Sequence, residues 1–399
     1  MGALSGIRVV EVGRYVSAPM ASVLLADLGA QVIKVENPDG GDPFRGWSHS
    51  SGYSPHFCSL NRNKLSLALN VAKPDGRDCL LRLLDDADVL IENFRVGQTD
   101  KWGWGYETVA ERNPKIVYCS ISGFGPVGPY RDRPGYDTVG QATSGLLSVL
   151  TDLQSPKSVG ISLSDHLAGL YGAYGVLAGL MARTFTGMGQ KVDTSLLQAS
   201  VSFQSENIAS YFANGEIPTF DRRAKSAGVW SLVAKDGKPF VVHLSSPAKF
   251  WQAFARVANH PEWIDDPRYI DQASRRLNYD QLEPAVKEAF SLKNRDEWLS
   301  ELQAVDVPCA PLNDIGEVFE DPQVNALGMR RVLEHPLMGQ VQLAGPGIDL
   351  SETPVNWELP PPLLGENTGE VLEMIGYSPN EIEELVASGV ASTQTLTKH

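Results

Sequence analysis

The chain has 399 residues, of which 42% are hydrophobic and 21% charged, so it is long enough to form two globular domains. Its formal net charge of -14 argues against a nucleic-acid partner, and its longest uncharged apolar stretch falls short of the ~20 residues that a membrane-spanning helix needs. The four cysteines and the histidines lack metal-ligand spacing. We therefore expect a cytoplasmic protein with no metal, no nucleic-acid partner and no membrane contact.

The N-terminal part of the chain alternates between strand-like and helix-like segments. The apolar, β-branched segments are 7–12, 31–36, 65–69, 89–92 and 116–122, and the segments with helical spacing are 19–28, 74–86 and 106–112. This alternation is typical of a Rossmann-like α/β domain with a parallel sheet, which binds ligands at the carboxyl ends of its strands. The turn after the first strand lacks G-x-G-x-x-G, so the sequence does not support a dinucleotide cofactor.

The stretch from Gly160 to Phe185 predicts one long helix. Apolar residues recur there at helical spacing, and glycines form a second strip that another backbone could approach closely. The two sets are Leu163, Leu167, Leu170, Tyr174 and Leu177, and Gly169, Gly172, Gly175 and Gly179. We expect this helix to be buried. Asp165 falls in or beside its first turn, where free amides and the helix dipole favour an ionised carboxylate that serves either as a nucleophile or only as a helix cap.

The character of the sequence changes after this helix. A strand is predicted at 190–195, a helix at 196–213, a hairpin around the DG turn within 229–245, and helices at 247–258, 279–290, 295–304, 369–375 and 380–388. The segment 321–362 has little helical period and predicts a connection. The resulting domain prediction is a large α/β domain at 1–200, a linker at 201–227, a small α+β domain at 228–312, a returning linker at 313–362 and C-terminal helices of the large domain at 363–399.

Several sequence blocks occur in an order that resembles the family III CoA-transferases, which include formyl-CoA transferase, carnitine CoA-transferase and the acyl-CoA racemases. The blocks include EVGRYVSAP, NRNKLSLALN, ADVLIENFRVG, NPKIVYCSISGFG and RPGYDTVGQATSG, and the resemblance covers nearly the whole chain. It implies that Asp165 is the nucleophile and that coenzyme A and acyl-CoA are substrates rather than permanently bound cofactors. It also implies an interlocked homodimer, with pairing to a homologous subunit as the alternative.

The resemblance further implies which residues contact CoA. They are Val16, Ser17, Leu69, Asn70, Val71, Ala72, Asn93, Phe94, Arg95, Lys101, Tyr136 and Asp137. Val16 and Asn37 depart from the Gln and Arg of formyl-CoA transferase, which affects the expected adenine and phosphate contacts. Further basic residues that could favour an anionic ligand are Arg62, Lys64, Lys73, Arg131 and Arg133, although any one of them could be an ordinary surface residue.

The segment RRAKSAG at 222–228 replaces a glycine loop of formyl-CoA transferase. Arg222, Arg223 and Lys225 would place positive charge near the acyl group, as recognition of a second carboxylate requires. We therefore expect a dicarboxylic acyl group of the succinyl, malyl or mesaconyl type. The alternative interpretation is a surface linker.

The expected reaction transfers CoA from a thioester to a free acid through an aspartyl mixed anhydride and an aspartyl-CoA thioester. One alternative is an acyl-CoA racemase that exchanges the α-proton, but the chain has Tyr136 where such racemases have His, and tyrosine is a poor base because its ordinary pKa is ~10. A second alternative is a non-catalytic CoA-binding partner subunit. The presence of Asp165 argues against that role.

Overall fold

The computed structural model describes residues 1–47, 54–245 and 247–394. The chain divides into two compact units. The first comprises Met1–Leu147, Ser158–Ala209 and Met329–His399, and the second comprises Ser148–Lys157 and Ser210–Gly328. The last five residues of the predicted C-terminal segment, 395–399, lie outside the described residues.

The strands are numbered in chain order. They are β1 Arg8–Val12, β2 Gln31–Glu36, β3 Lys64–Leu69, β4 Val89–Glu92, β5 Val117–Ser122, β6 Gln190–Ser195, β7 Val229–Val233, β8 Pro239–His243, β9 Cys309–Pro311, β10 Arg330–His335, β11 Gly339–Ala344 and β12 Ala391–Ser392. Short 3₁₀ turns occupy Pro43–Gly46, Leu147–Val149 and Pro261–Ile264.

The helices follow the same numbering. They are α1 Ser17–Asp27, α2 Pro55–Asn61, α3 Pro74–Asp85, α4 Gln98–Trp102, α5 Tyr106–Arg112, α6 Asp137–Thr143, α7 Leu163–Thr186, α8 Leu196–Phe203, α9 Ser205–Asn214, α10 Arg222–Ala227, α11 Ala248–Val257, α12 Gln272–Leu277, α13 Tyr279–Phe290, α14 Arg295–Ala304, α15 Ile315–Val318, α16 Pro322–Ala326, α17 Thr368–Met374 and α18 Pro379–Ala387. Within the described ranges, no helix combines the length and the apolar character needed to cross a bilayer.

The first unit is built on a seven-stranded sheet in the order β12-β3-β2-β1-β4-β5-β6. All neighbouring pairs are parallel except β12, which runs antiparallel to β3. Because the chain proceeds outward from β1 on one side through β2 and on the other through β4, a crevice is expected at the carboxyl end of β1. The sequence prediction of an α/β fold is confirmed, but the predicted parallel sheet is mixed, because β12 runs antiparallel to β3.

Helix α7 packs through its glycine strip. A Cβ atom at Gly172 would meet Ile121 at 3.0 Å, and one at Gly175 would meet Val192 at 2.5 Å, so these glycines lie directly against the sheet. A Cβ atom at Gly169 would come within 2.8 Å of a backbone oxygen of α1. The predicted close approach of another backbone is therefore confirmed.

The expectation that the apolar stripe of α7 is buried is wrong for most of its residues. Leu167 is buried, but Leu170, Tyr174 and Leu177 are 46%, 69% and 36% exposed. The reason is geometric. Only the glycine strip lets the helix approach the sheet closely, and the leucines project from another face.

Two other predictions were also wrong in detail. The helix predicted at 196–213 is divided into α8 and α9, because the backbone N–H of Gln204 bonds to Val201 O at 3.1 Å in a tight turn. The segment predicted as a connection at 321–362 contains α16 and an antiparallel hairpin of β10 and β11. Most side chains of that hairpin are exposed, so its sequence lacks the continuous apolar run that marks a buried strand.

The second unit contains the antiparallel sheet β7-β8-β9 and an aromatic core. Trp230 on β7 stacks on Tyr279 of α13 at 4.3 Å between ring centroids, and Phe254 of α11 stacks on Phe290 at 5.0 Å. The predicted hairpin around the DG turn forms β7 and β8.

We predict that Gly169→Ala destabilises the protein by about 1–3 kcal/mol, because the added methyl group would force α7 away from α1. Calorimetric melting would show this as a lower Tm. Gly369→Ala is the matched control, since a Cβ atom at this helical glycine of α17 meets nothing within 4 Å. Equal losses in both variants would contradict the packing argument.

Candidate active site

Asp165 is the third residue of α7 and is half-buried. The preceding Ser162 makes no side-chain capping bond. Instead, the backbone N–H of Asp165 donates to Asp137 Oδ1 at 3.2 Å, so a side chain from α6 caps the start of α7. The orientation of Asp165 therefore depends on Asp137.

Gln141 connects α6 to the segment before α7. Its Nε2 donates to Asp137 Oδ2 at 2.6 Å and to Ile161 O at 3.2 Å, and the residue is only 1% exposed. The sequence analysis missed this residue. The available signal was the spacing of Asp137 and Gln141, four positions apart, which places both side chains on one face of a helix.

The electrostatics of Asp165 differ from the expectation of a fully ionised carboxylate. Burial raises the pKa of Asp165 to about 7, and the neighbouring Asp137 carboxylate adds to the increase. Burial and the like charge therefore outweigh the amides and dipole of the helix start. Asp165 consequently ionises around neutral pH, within the range in which a carboxyl group can switch between an acid and a nucleophile.

His166 follows Asp165 but bonds back to the start of the helix. Its Nδ1 lies 2.7 Å from Ser162 O, and because a carbonyl oxygen can only accept, Nδ1 carries the hydrogen. This contact with the backbone of its own helix indicates a structural role for His166.

An open cleft with a volume of about 140 Å³ lies at the carboxyl ends of β1, β2 and β3. Its lining residues come from the turns after these strands and from the β4–α4 region. Those among the predicted CoA contacts are Leu69, Asn70, Val71, Ala72 and Phe94.

Ser17 links α7 to Asn93, which directly follows β4. Its hydroxyl accepts a hydrogen bond from Asn93 Nδ2 at 3.0 Å, and its carbonyl oxygen lies 2.8 Å from the position of a Cβ on Gly169, one turn after Asp165. Val16 and Ser17 are both buried at the start of α1. Two of the predicted CoA contacts, Ser17 and Asn93, therefore touch one another.

Arg14 was not predicted as a site residue, although it directly follows β1. Among the described residues that line the cleft, it alone is basic. Its backbone is held by Asn93, whose Oδ1 accepts from Arg14 N at 3.0 Å and whose Nδ2 donates to Arg14 O at 2.8 Å. Its guanidinium lies 5.5 Å from the ring centre of Phe94, and Trp102 adds a second aromatic wall.

Three of the remaining predicted contacts lie on the surface. Arg95 and Lys101 are exposed, and within the described part of the chain neither forms an ion pair. Tyr136 is also exposed and directly precedes the half-buried Asp137.

Three of the further basic residues have other roles. Arg62 and Lys64 are buried and paired, with Asp27 and Glu11 respectively. Lys73 donates to Ser388 O and Gly389 O, both at 3.2 Å, at the end of α18.

The basic residues Arg222, Arg223 and Lys225 belong to α10 in the second unit. Lys225 lies 3.0 Å from carboxylate oxygens of both Asp221 and Asp280. Arg222 Nη2 donates to Ser210 Oγ at 2.6 Å, and Arg223 is exposed. The three cations are therefore not equivalent, because Lys225 is already neutralised by local carboxylates.

The model of "CoA-transferase family III" matches residues 4–368 of the chain. The chain belongs to this family. It is 33% identical to the human succinyl-CoA:glutarate CoA-transferase, over 97% of this chain and 89% of that protein. It is 34% identical to the beta subunit of the succinyl-CoA–L-malate CoA-transferase of Chloroflexus aurantiacus, over 96% of both chains.

A solved structure supports the same assignment. The crystal structure of a CaiB/BaiF family protein from Brucella suis has a TM-score of 0.83 and 31% identity, and the match covers 94% of this chain and 99% of that one. The chain is thus a family III CoA-transferase enzyme, and acyl-CoA thioesters are the substrates implied by its family.

We predict that Asp137→Asn lowers the pKa of Asp165 below about 7, because it removes the like charge. Burial still holds that pKa above its ordinary value of 3.8. Infrared difference spectra across pH would follow the band of the protonated carboxyl group, which Asp165→Asn identifies by its loss. The control is Asp132→Asn, an exposed aspartate preceding α6. An unchanged midpoint in Asp137→Asn would contradict the coupling.

Proposed function

We propose that this enzyme moves CoA from an acyl-CoA thioester to a free dicarboxylic acid by covalent catalysis at Asp165. The observation that carries the proposal is the half-buried Asp165 carboxylate at the start of α7, where Asp137 fixes its backbone. Contacts from Gly169 of α7 through Ser17 and Asn93 lead to the cleft-lining Arg14. A nucleophile so placed can receive the thioester end of a ligand whose nucleotide occupies the cleft.

The first half of the reaction transfers CoA to the enzyme. An Asp165 oxygen attacks the thioester carbonyl, the C–S bond breaks, and CoA leaves as a thiolate. The thiolate attacks the aspartyl carbonyl of the mixed anhydride, and the donor acid leaves as a carboxylate. These two steps produce an aspartyl-CoA thioester without any net transfer of a proton.

The second half repeats these steps with the acceptor. Its carboxylate attacks the aspartyl-CoA carbonyl, which gives a second mixed anhydride and releases the thiolate. The thiolate then attacks the acceptor carbonyl, so the acceptor acyl-CoA forms and Asp165 returns as a carboxylate. Because only ionised Asp165 is nucleophilic, the first step should accelerate as pH rises through about 7.

In this proposal, CoA contacts the cleft through the residues predicted from the sequence, together with Arg14 and Trp102. The Arg14 guanidinium suits a phosphate group, and Phe94 and Trp102 suit the adenine ring. Arg95 and Lys101 supply further exposed positive charge.

Dicarboxylic substrates are supported by the relatives named above, whose names specify succinyl-CoA with glutarate or malate. Within α10, Arg223 is the most suitable partner for a second carboxylate, since Lys225 already contacts two aspartates. Because this segment replaces the glycine loop of formyl-CoA transferase, the protection of the anhydride must differ from that in formyl-CoA transferase.

An interlocked homodimer is part of the same proposal. Leu170, Tyr174, Met181 and Phe185 form an exposed apolar strip along α7, and large exposed apolar patches mark contact surfaces. Pairing with a homologous subunit is the alternative, since one relative is named as a beta subunit. Mass photometry of the purified chain distinguishes a homodimer from a monomer that awaits another subunit.

We predict that Asp165→Ala abolishes CoA exchange between succinyl-CoA and free dicarboxylic acids, because no other group replaces the nucleophile. With the wild type, hydroxylamine should convert the intermediate to a hydroxamate on the α7 peptide, as detected by mass spectrometry. Asp296→Ala, which removes an exposed acid from the first turn of α14, is the control. Exchange at the normal rate by Asp165→Ala would refute the mechanism. Deuterium incorporation at the α-carbon without an acceptor acid would instead favour the racemase.

We predict that Arg223→Ala raises the KM for glutarate at least tenfold while the KM for butyrate changes less than twofold, because only glutarate has a second carboxylate to pair. Lys225→Ala on the same helix is the matched control and should affect both acids alike. Steady-state kinetics with succinyl-CoA as the donor would measure this. Equal effects of Arg223→Ala on the two acids would remove Arg223 from substrate recognition.

A further inference from the structure

A buried group of six ionisable side chains, which we call the charge cluster, adjoins the cleft, and two of its members, Glu36 and Asp42, line it. It consists of Glu11, Lys34, Glu36, Asp42, Arg45 and Lys64. Their side chains are between 0% and 6% exposed. The cluster has three carboxylates and three cations, and such burial is tolerated only when the charges are paired.

The pairing is continuous. Lys34 Nζ lies 2.6 Å from Glu11 Oε1 and 3.0 Å from Asp42 Oδ2, and Lys64 Nζ lies 2.8 Å from Glu11 Oε2. Burial alone would raise the pKa of Glu11, but the two lysines outweigh it and lower the pKa to about 2. Glu11 is therefore charged at neutral pH.

The Lys34–Asp42 pair also holds the backbone on both sides of Arg14. Lys34 Nζ donates to Gly13 O at 3.2 Å, and Tyr15 N donates to Asp42 Oδ1 at 3.1 Å. Tyr15 has φ 61°, a left-handed conformation that a residue with a side chain adopts rarely and at an energetic cost. The ion pair thus stabilises a strained turn.

This turn presents the cleft-lining Arg14 and leads into Val16 and Ser17. We infer that the Lys34–Asp42 pair is a positioning device for CoA binding, which acts by holding the turn 13–15 in its binding conformation. The inference rests on the proposed function, because it assumes that the cleft binds CoA. Lys34 does not line the cleft and is fully buried, so its effect on a ligand must be transmitted through the turn.

The test compares two buried cations in the same unit. Lys34→Met removes the donor to Gly13 O and leaves Asp42 without its cation. Arg62→Met also leaves a buried carboxylate unpaired, since Arg62 Nε lies 3.1 Å from Asp27 Oδ1, but Asp27 is at the opposite end of α1 from the turn. Calorimetric titration with CoA and thermal melting are measured on the full chain for both variants.

We expect both variants to melt at lower temperature, but only Lys34→Met should weaken CoA binding, by at least tenfold in Kd. Asp42→Asn keeps an acceptor for Tyr15 N and should fall between Lys34→Met and the wild type; it also serves as the test if Lys34→Met does not fold. If Asp42→Asn and Lys34→Met bound CoA with wild-type affinity, or if Arg62→Met weakened CoA binding as much as Lys34→Met, the inference would be overturned and the proposed function would not. A wild-type chain that does not bind CoA would overturn the proposed function together with it.

Discussion

The close contact between α7 and the rest of the first unit is the constraint on which the candidate site depends. Glycines at 169, 172 and 175 leave no room for a Cβ atom against α1 and the sheet. This contact fixes the start of α7 beside the start of α1, where Ser17 bonds to Asn93. Asp165 and the cleft are therefore positioned by backbone packing rather than by a flexible loop, as the covalent catalysis proposed above would require.

That position has an electrostatic cost. Burial and Asp137 raise the pKa of Asp165 from 3.8 to about 7. An acid whose pKa is raised in the folded state binds its proton more tightly there than in the unfolded chain. The folded state is therefore stabilised less as pH rises from about 4 to about 7, and ionised Asp165 destabilises it by on the order of a few kcal/mol. Nucleophilic attack would require ionised Asp165, whereas the folded state is most stable when Asp165 is protonated.

The sequence predicted features that depend on residues close together along the chain better than features that depend on residues far apart along it. The bounds of β2 and α13 were predicted correctly, because β-branched runs and helical periodicity are local signals. The cap that Asp137 provides for Asp165 joins residues on different helices, and no periodicity encodes it. Likewise, lysine is usually found on protein surfaces, and the burial of Lys64 follows only from its pairing with Glu11. The exposed leucines of α7 show that helical periodicity identifies an apolar stripe but not which face of the helix packs against the sheet.

The charge balance of the cluster also determines where an anionic ligand can gain attraction. Three buried carboxylates neutralise three buried cations, so the cluster adds little net field to the cleft above it. The chain as a whole carries a formal charge of -14 and repels anions at long range. Attraction must therefore come from exposed cations at short range, chiefly Arg14, Arg95 and Lys101. Exposed charges are screened by salt over about 8–10 Å. The affinity for a polyphosphate ligand should consequently depend more on the fixed geometry of the turn 13–15 than on long-range electrostatic attraction.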